Sequence, residues 1–143
     1  MIVLDASAVV EMVRETPTGL GFKCLMMEGE RAGSCDLLRA EAASVFRKLV
    51  RTEGAKPDVA QRYLAEAVAL VDEFYPMDDL QSEALRESVR LDHSAYDMFY
   101  FVLARRTGGT LFTADRKLAE LCLKNGVDCV AEFELPKLDG DEG

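Results

Sequence analysis

Four acidic residues lie at points in the sequence where a carboxylate has a reason to face the protein interior. Asp5 follows the apolar run IVL, and Glu41 lies at the edge of the apolar stripe of a predicted helix. Asp97 interrupts an apolar run, and Asp115 follows the segment TLFT by two residues. If these positions converge in the fold, the sequence predicts one site built from four carboxylates.

Such a site needs a cation. Two like charges ~4 Å apart repel by roughly 4 kcal/mol at an effective dielectric of 20, so clustered acids raise their own pKa values or destabilise the fold. A divalent cation removes this repulsion, and ligands that are all oxygens select Mg²⁺ or Mn²⁺ over zinc. Mg²⁺ on carboxylates generates hydroxide from bound water and holds a phosphate. The pattern therefore predicts phosphodiester hydrolysis without a histidine base, and we interpret the only histidine, His93, as structural or surface-exposed.

Each acid also has a simpler interpretation. Asp5 and Asp115 each precede a predicted helix, and aspartate is a favoured helix N-cap. Glu41 could be a solvated helix residue or pair with Lys48, which lies two turns further along. The segment SAYD, which ends at Asp97, matches a capping box. The hypothesis of a shared site therefore depends on all four acids fitting it together.

Other catalytic patterns are missing from the sequence. There is no G-x-x-x-x-G-K-[ST] phosphate loop and no G-x-S-x-G nucleophile elbow, and the GLG at residues 19–21 lacks the third glycine of a dinucleotide fingerprint. None of the cysteines forms a C-x-x-C pair, so we expect neither a zinc site nor a disulfide framework. They are Cys24, Cys35, Cys122 and Cys129. Reduced thiols without a signal peptide indicate a cytoplasmic protein.

The charge balance of the chain is acidic, with a formal net charge of −9 over 143 residues. A protein that binds RNA through its phosphates usually presents a basic face. The net charge therefore argues weakly against a nucleic-acid partner, although the distribution of charge matters more than its sum. Acids that bind a metal ion also stop counting as free negative charge.

Hydrophobic periodicity predicts alternating strands and helices. Strands are expected at residues 2–5, 32–35, 75–77, 110–113 and 128–130, and helices at residues 6–14, 17–28, 37–53, 56–74, 80–90, 94–106 and 115–124. We expect Asp36 to cap the third helix and Gly54 to end it.

This alternation predicts an α/β fold with a parallel sheet covered by helices on both faces. Ligands bind such sheets at the carboxyl ends of the strands, where Asp5 and Asp115 would meet if their strands are central. We expect one domain over residues 1–135 and an acidic, flexible tail over residues 136–143.

The four motifs resemble the PIN-domain nuclease family, especially the VapC toxins of prokaryotic toxin–antitoxin pairs. IVLDASAVV is similar to the family's first strand with its closing Asp, and LLRAEAASVFRKL to the second motif, which carries the Glu. HSAYDMFYFVLARRTGGTLFTADRKL is similar to the last two motifs, with Asp97 in the helix and Asp115 after the strand. The resemblance extends over nearly the whole chain and implies a three-layer α/β/α fold around a mostly parallel sheet of four to five short strands.

The resemblance further implies an endoribonuclease that depends on Mg²⁺ or Mn²⁺. The residues implied as catalytic and metal-binding are Asp5, Glu41, Asp97 and Asp115. Ser7 and Thr113 match hydroxyl positions near the family's site, and we expect them to contact water, metal or Asp5. The implied partners are RNA, a VapB-like antitoxin and a second copy of the chain, as homodimers or dimers of toxin–antitoxin heterodimers.

Basic residues beside two of the acids are candidates for contacting RNA phosphates, with a solvated helix face as the alternative. Arg116 and Lys117 adjoin Asp115. The predicted helix of Glu41 has a basic flank, which consists of Arg39, Arg47, Lys48 and Arg51.

The predicted second helix has more apolar residues than one buried face needs. They are Leu20, Phe22, Leu25, Met26 and Met27. These residues either form a groove for an antitoxin helix or belong to the core.

Three rival functions stay open. The first is a PIN nuclease of RNA processing that has no antitoxin, and the second is an inactive PIN-like module that holds partners or nucleic acid. The third is a phosphoryl-transfer protein of another class. A haloacid-dehalogenase-like phosphatase would need an Asp two residues after Asp5, where Ser7 stands, and a receiver domain would need an acidic pair at the end of its first strand.

Overall fold

The computed structural model describes residues 1–26 and 29–131, which form alternating strands and helices. The elements are β1 (Ile2–Leu4), α1 (Ala6–Val13), α2 (Pro17–Met26), β2 (Ala32–Cys35), α3 (Leu37–Glu53), α4 (Pro57–Ala69), β3 (Glu73–Tyr75), α5 (Gln81–Leu91), α6 (Ala95–Thr107), β4 (Thr110–Phe112), α7 (Arg116–Lys124) and β5 (Cys129–Val130). A short 3₁₀ turn at Met77–Asp79 precedes α5.

The strands form a five-stranded, fully parallel sheet in the order β3-β2-β1-β4-β5. Helices cover both faces, so the predicted three-layer α/β/α class is confirmed. β1 is central, and it pairs with β4 in a register that sets Leu4 beside Phe112. Because parallel strands end at the same edge, the residues that follow β1 and β4 are neighbours in space.

The core lies on both sides of this sheet. All three residues of β1 are buried, as an internal parallel strand requires. Most of the middle of α6 is buried, namely Met98 and every residue from Tyr100 to Ala104. It ends at Gly108, whose φ of 64° is a left-handed conformation that glycine adopts without strain. The burial of α6 explains why its sequence is apolar on all sides.

α1 and α2 pack closely because Gly19 has no side chain. A Cβ atom at this position would lie 2.0 Å from the backbone oxygen of Glu11 in α1. The hydroxyl of Thr16 accepts a hydrogen bond from the amide of Gly19, which fixes the start of α2. The close approach of α2 fixes the position of α1, the helix that follows Asp5.

The predicted helix over residues 56–74 was wrong at its end. α4 ends at Ala69, and β3 starts at Glu73 rather than at residue 75. Asp72 explains the change, because its amide donates to the carbonyl of Ala32 and its carboxylate accepts from the amide of Ala32, both at 2.8 Å. Pairing with β2 therefore stops a helix that local periodicity would have continued.

The predicted cap at Asp36 was also wrong. Asp36 has helical dihedral angles, φ −58° and ψ −23°, and its side chain makes no capping hydrogen bond. Its amide donates instead to the carbonyl of Tyr75. A capping side chain needs an extended backbone, and the contact with β3 removes that option.

Two further findings concern the composition of the chain. All four cysteines are free thiols, and Cys35 and Cys122 are buried among apolar residues. Among the residues that the structure describes, no helix is long and apolar enough to cross a bilayer. The tail expected at residues 136–143 lies outside the described residues.

Candidate functional site

The four acids predicted from the sequence line one pocket. It is open, has a volume of about 330 Å³ and lies at the carboxyl ends of β1 and β4, between α3 and α6. Its lining residues are Asp5, Ala6, Ser7, Glu41, Ser44, Val45, Lys48, Asp97, Tyr100 and Asp115. The structure therefore brings together residues that are up to 110 positions apart in the sequence.

Asp5 forms the floor of the pocket and is only 4% exposed. Its Oδ1 atom accepts hydrogen bonds from the hydroxyl of Ser7 at 2.6 Å and from the amide of Ala8 at 2.8 Å, so it caps α1. Its Oδ2 atom accepts from the buried hydroxyl of Thr113. Burial raises the pKa of Asp5 to about 6, although these hydrogen bonds lower it and the charge of Asp97 adds to the rise.

Ser7 and Thr113 connect the ends of β1 and β4. The Ser7 hydroxyl accepts from the amide of Ala114 at 2.9 Å, and the Thr113 hydroxyl accepts from the amide of Asp115 at 3.0 Å. Each hydroxyl also donates to Asp5. The two side chains therefore hold Asp5 and Asp115 in a defined relative position.

Asp115 caps α7 with one oxygen. Its Oδ1 atom accepts from the amides of Lys117 at 2.9 Å and Leu118 at 3.3 Å. The capping interpretation of this residue is correct, and so is its place in the pocket. One carboxylate serves both purposes because its two oxygens point in different directions.

Asp97 lies in the first turn of α6 and lines the pocket with the other acids. Burial raises its pKa, and the charge of Asp115 raises it further. The charge of Asp97 in turn raises the pKa values of Asp5 and Glu41. Asp97 is therefore electrostatically coupled to each of the other three acids.

The capping box predicted for α6 is not formed. Ser94 makes no side-chain capping bond, and Oδ2 of Asp97 lies 2.7 Å from Nε2 of His93 instead. His93 is held in place from α5, since the hydroxyl of Ser88 donates to its carbonyl at 2.5 Å. The histidine therefore orients Asp97 through one of its two carboxylate oxygens.

Glu41 enters the pocket from α3. Burial raises its pKa and the charge of Asp97 adds to this, while a hydrogen bond from Tyr100 lowers it. The Tyr100 hydroxyl donates to Oε1 of Glu41 at 2.5 Å, and Tyr100 itself is almost fully buried. A half-buried glutamate is thus fixed by a neutral donor rather than by a basic side chain.

The donor set fits a hard divalent cation. Within residues 1–26 and 29–131, no hydrogen bond reaches Oε2 of Glu41, Oδ1 of Asp97 or Oδ2 of Asp115. In the same residues, no three acidic, histidine or cysteine side chains stand close enough to form a complete metal cage. Mg²⁺ rarely uses such cages, because it keeps several waters and takes one or two carboxylates together with substrate phosphates.

Sequence reasoning missed two hydrogen-bond partners of the acids. Tyr100 donates to Glu41 from the pocket lining, and the ring of His93 contacts Asp97. Lys48, which the sequence offered as a partner of Glu41 and as part of a basic flank, lies on the same face of α3 as Glu41 and lines the pocket.

Of the basic residues predicted to contact RNA, Lys48 lines the pocket, whereas Arg39, Arg116 and Lys117 lie outside its lining. The Arg39 guanidinium carbon lies 3.8 Å from the centre of the Phe74 ring, and its Nε lies 3.5 Å from Oδ1 of Asp36. Arg116 and Lys117 are exposed in the first turn of α7, next to Asp115.

Comparison with known proteins identifies relatives of this architecture. The sequence profile of the PIN domain matches residues 2–124. No curated protein sequence matches the chain.

Solved structures share the fold. PAE2754 from Pyrobaculum aerophilum is 24% identical, with a TM-score of 0.66 over 83% of this chain and 77% of its own. VapBC2 from Rickettsia felis, bound to a DNA fragment from their promoter, is 14% identical, with a TM-score of 0.66 over 93% of this chain and 100% of its own. VapC20 from Mycobacterium tuberculosis, described as a sarcin-ricin loop cleaving toxin, is 18% identical, with a TM-score of 0.59 over 85% of this chain and 95% of its own.

Proposed function

This chain belongs to the PIN domain family, and from this premise we propose that it is a metal-dependent endoribonuclease, the VapC-type toxin of a type II toxin–antitoxin pair. The observation that carries the proposal is the convergence of Asp5, Glu41, Asp97 and Asp115 on one pocket. Such a cluster is costly, because burial and the neighbouring negative charges raise the pKa values of Asp5, Glu41 and Asp97. A protein that only needed helix caps at these positions would have no reason to bring the acids together.

In the proposed mechanism, one or two of Glu41, Asp97 and Asp115 would hold Mg²⁺ or Mn²⁺ together with water and the RNA phosphate, and Asp5 would contribute its charge from the floor of the pocket. The bound ion supplies an activated water and neutralises charge on the phosphate. Ser7 and Thr113 keep Asp5 in place, and His93 and Tyr100 keep Asp97 and Glu41 in place. These contacts preorganise the acids, so the site does not have to reorganise when the RNA binds.

An antitoxin helix and a second copy of the chain are the proposed protein partners, in the cytoplasm. Leu20 of α2 is 49% exposed. An almost wholly apolar groove is lined by Met12, Lys23, Met26 and Leu70. Such a groove suits the apolar face of an amphipathic helix. Leu85 and Val89 are exposed one turn apart on α5 and suit a contact between two copies. The solved VapBC2 complex supports the proposal of an antitoxin partner.

Cleavage that needs a divalent cation is the first expected result. Purified protein incubated with a structured RNA pool should cut it in Mn²⁺ and not in EDTA, and excess Mn²⁺ should restore cutting, because only a bound cation makes the four-acid site active. Cutting that EDTA leaves unchanged would contradict the mechanism. A folded protein that binds Mn²⁺ and cuts no RNA would favour the inactive binding module. An antitoxin gene beside the gene for this chain would favour a toxin over a nuclease of RNA processing.

Charge reversal at Arg116 and Lys117 should weaken RNA binding. The pair Arg116→Glu and Lys117→Glu is expected to raise KM by about tenfold or more with little change in kcat, because phosphate contacts contribute uniform binding. Glutamate is favourable in the first turn of a helix, so α7 should stay folded. The control pair is Arg86→Glu and Lys124→Glu, which changes the net charge equally at exposed positions outside the pocket. Equal KM values for the two pairs would remove Arg116 and Lys117 from the RNA-binding surface.

A further inference from the structure

Three basic residues of α3 stand apart from the ion pairs that surround them. Most of the other described arginines are matched to acids, as with Arg14 and Glu53 at 3.1 Å or Arg106 and Glu83 at 2.6 Å. Arg47, Lys48 and Arg51 form no ion pair with any described residue. All three are exposed. In a chain with 26 acids and 17 basic residues, three neighbouring cations without acidic partners are available for a ligand.

These residues form one continuous surface, which we call the basic track. Lys48 and Arg51 are three residues apart and Arg47 and Arg51 are four apart, so consecutive members are neighbours on the helix surface. Lys48 lies seven residues after Glu41 and on the same face, and it lines the acid pocket. At about 1.5 Å per residue, Arg51 lies roughly 15 Å along the helix axis from Glu41.

The far end of the basic track opens into a second concave surface between α3 and α4. Arg47 and Arg51 line this groove together with Phe46, Val50, Pro57, Gln61 and Leu64, and its volume is about 270 Å³. Its walls are largely apolar and its basic residues are exposed. A flexible chain with a regular negative charge fits such a surface better than a neutral or basic ligand does.

We propose that the basic track of Arg47, Lys48 and Arg51 binds the RNA backbone on one side of the scissile phosphate and leads that strand out of the acid pocket along α3. The inference rests on the proposed function, since it takes RNA as the substrate. An acidic pocket repels RNA, and the track supplies attraction for the RNA backbone beside that pocket in a chain whose net charge is −9. Lys48 contacts the phosphate nearest the pocket, and the two arginines contact phosphates further along.

The first test measures binding without cleavage. In the Asp97→Asn background, a fluorescein-labelled single-stranded oligouridylate is titrated at several salt concentrations and followed by anisotropy. Single-stranded contacts contribute about −0.7 each to the slope of log affinity against log salt. Arg47→Ala with Arg51→Ala should therefore make the slope less steep by about 1.4. The pair Arg86→Ala and Lys124→Ala has the same net charge and should keep the parent slope, and a slope unchanged by the track substitutions would overturn the proposal.

The second test links the track to one side of the cut. Once the cleavage site in an RNA is mapped, the RNA is shortened on each side in turn. For the wild type, shortening on one side should raise KM by about tenfold, and for the Arg47→Ala, Arg51→Ala variant the same shortening should have little further effect, because the two changes remove the same contacts. Equal losses in both proteins would overturn the proposal. Failure of the proposed function is distinguishable, since the wild type would then cut no RNA at all.

Discussion

Asp97→Asn is expected to reduce RNA cleavage by about 10²–10³-fold while the protein stays folded. The substitution removes one negative charge and keeps the shape of the side chain. The amide oxygen of asparagine can still accept a hydrogen bond from His93, which now bonds Oδ2 of Asp97. Because the charge of Asp97 acts on Asp5 and Glu41 and responds to Asp115, its loss affects the whole cation site. Removing a single preorganised charge-stabilising group costs about 10²–10³-fold in other enzymes.

The measurement is single-turnover cleavage of RNA in Mn²⁺, with thermal unfolding followed in EDTA. Asp92→Asn is the matched control, because it makes the same change of charge five residues earlier in an exposed position outside the pocket. Asp92 has a φ of 51°, a conformation that asparagine tolerates well. Asp97→Asn should unfold at the same temperature as the wild type in EDTA or at a higher one, because repulsion is relieved. Cleavage that survives the substitution would mean a contaminating nuclease or a wrongly assigned site.

The stability of the cation-free protein should fall as the pH rises from about 4 to about 6. The pKa of Asp5 is raised from 3.8 to about 6, so between these values the folded protein binds more protons than the unfolded chain does. The free energy of unfolding therefore decreases over this window and stays lower above it, by roughly 3 kcal/mol for a shift of this size. The raised pKa values of Glu41 and Asp97 act in the same direction.

Mn²⁺ should reverse this loss where the acids are ionised. At about ten times its dissociation constant, the ion adds roughly 1.4 kcal/mol to the free energy of unfolding, which raises Tm by about 3–5 °C for a domain of this size. The rise is expected near pH 7.5 and should be much smaller near pH 5, because protons compete for the same carboxylates. Thermal unfolding in EDTA and in Mn²⁺ at the two pH values measures it.

Asp5→Asn provides the control for this experiment. The variant should have a higher Tm than the wild type in EDTA at neutral pH and a weaker dependence on pH, because the buried charge is gone. It should also respond less to Mn²⁺. A wild type whose Tm changes with neither pH nor Mn²⁺ would show that the acids do not form a coupled cluster.

The local pattern of apolar residues was sufficient to predict most of the strands and helices. Strands and helices could be predicted from the alternation of apolar periods, because burial on one face recurs at a spacing that the sequence displays directly. The end of α4 could not be predicted in this way, because the bonds between Asp72 and Ala32 join residues 40 positions apart. Asp36 and Ser94 failed as caps for a similar reason, since a cap depends on backbone angles that neighbouring elements impose.

The sequence by itself determined the parallel sheet and the place of four acids at its edge. The side chain of an acid that follows a central strand, or that lies within a buried helix, has few directions open to it, because the neighbouring elements surround it. The sequence left two interpretations of each acid open. In the tertiary structure, Asp5 and Asp115 each cap a helix with one oxygen and also line the pocket that they share with Glu41 and Asp97. Only the tertiary structure decided that His93 and Tyr100 orient the acids and that Lys48 rather than Arg39 lines the pocket. The reason is physical: periodicity reports which face of a helix is buried, but the partner of a polar atom is set by packing between elements distant in the chain.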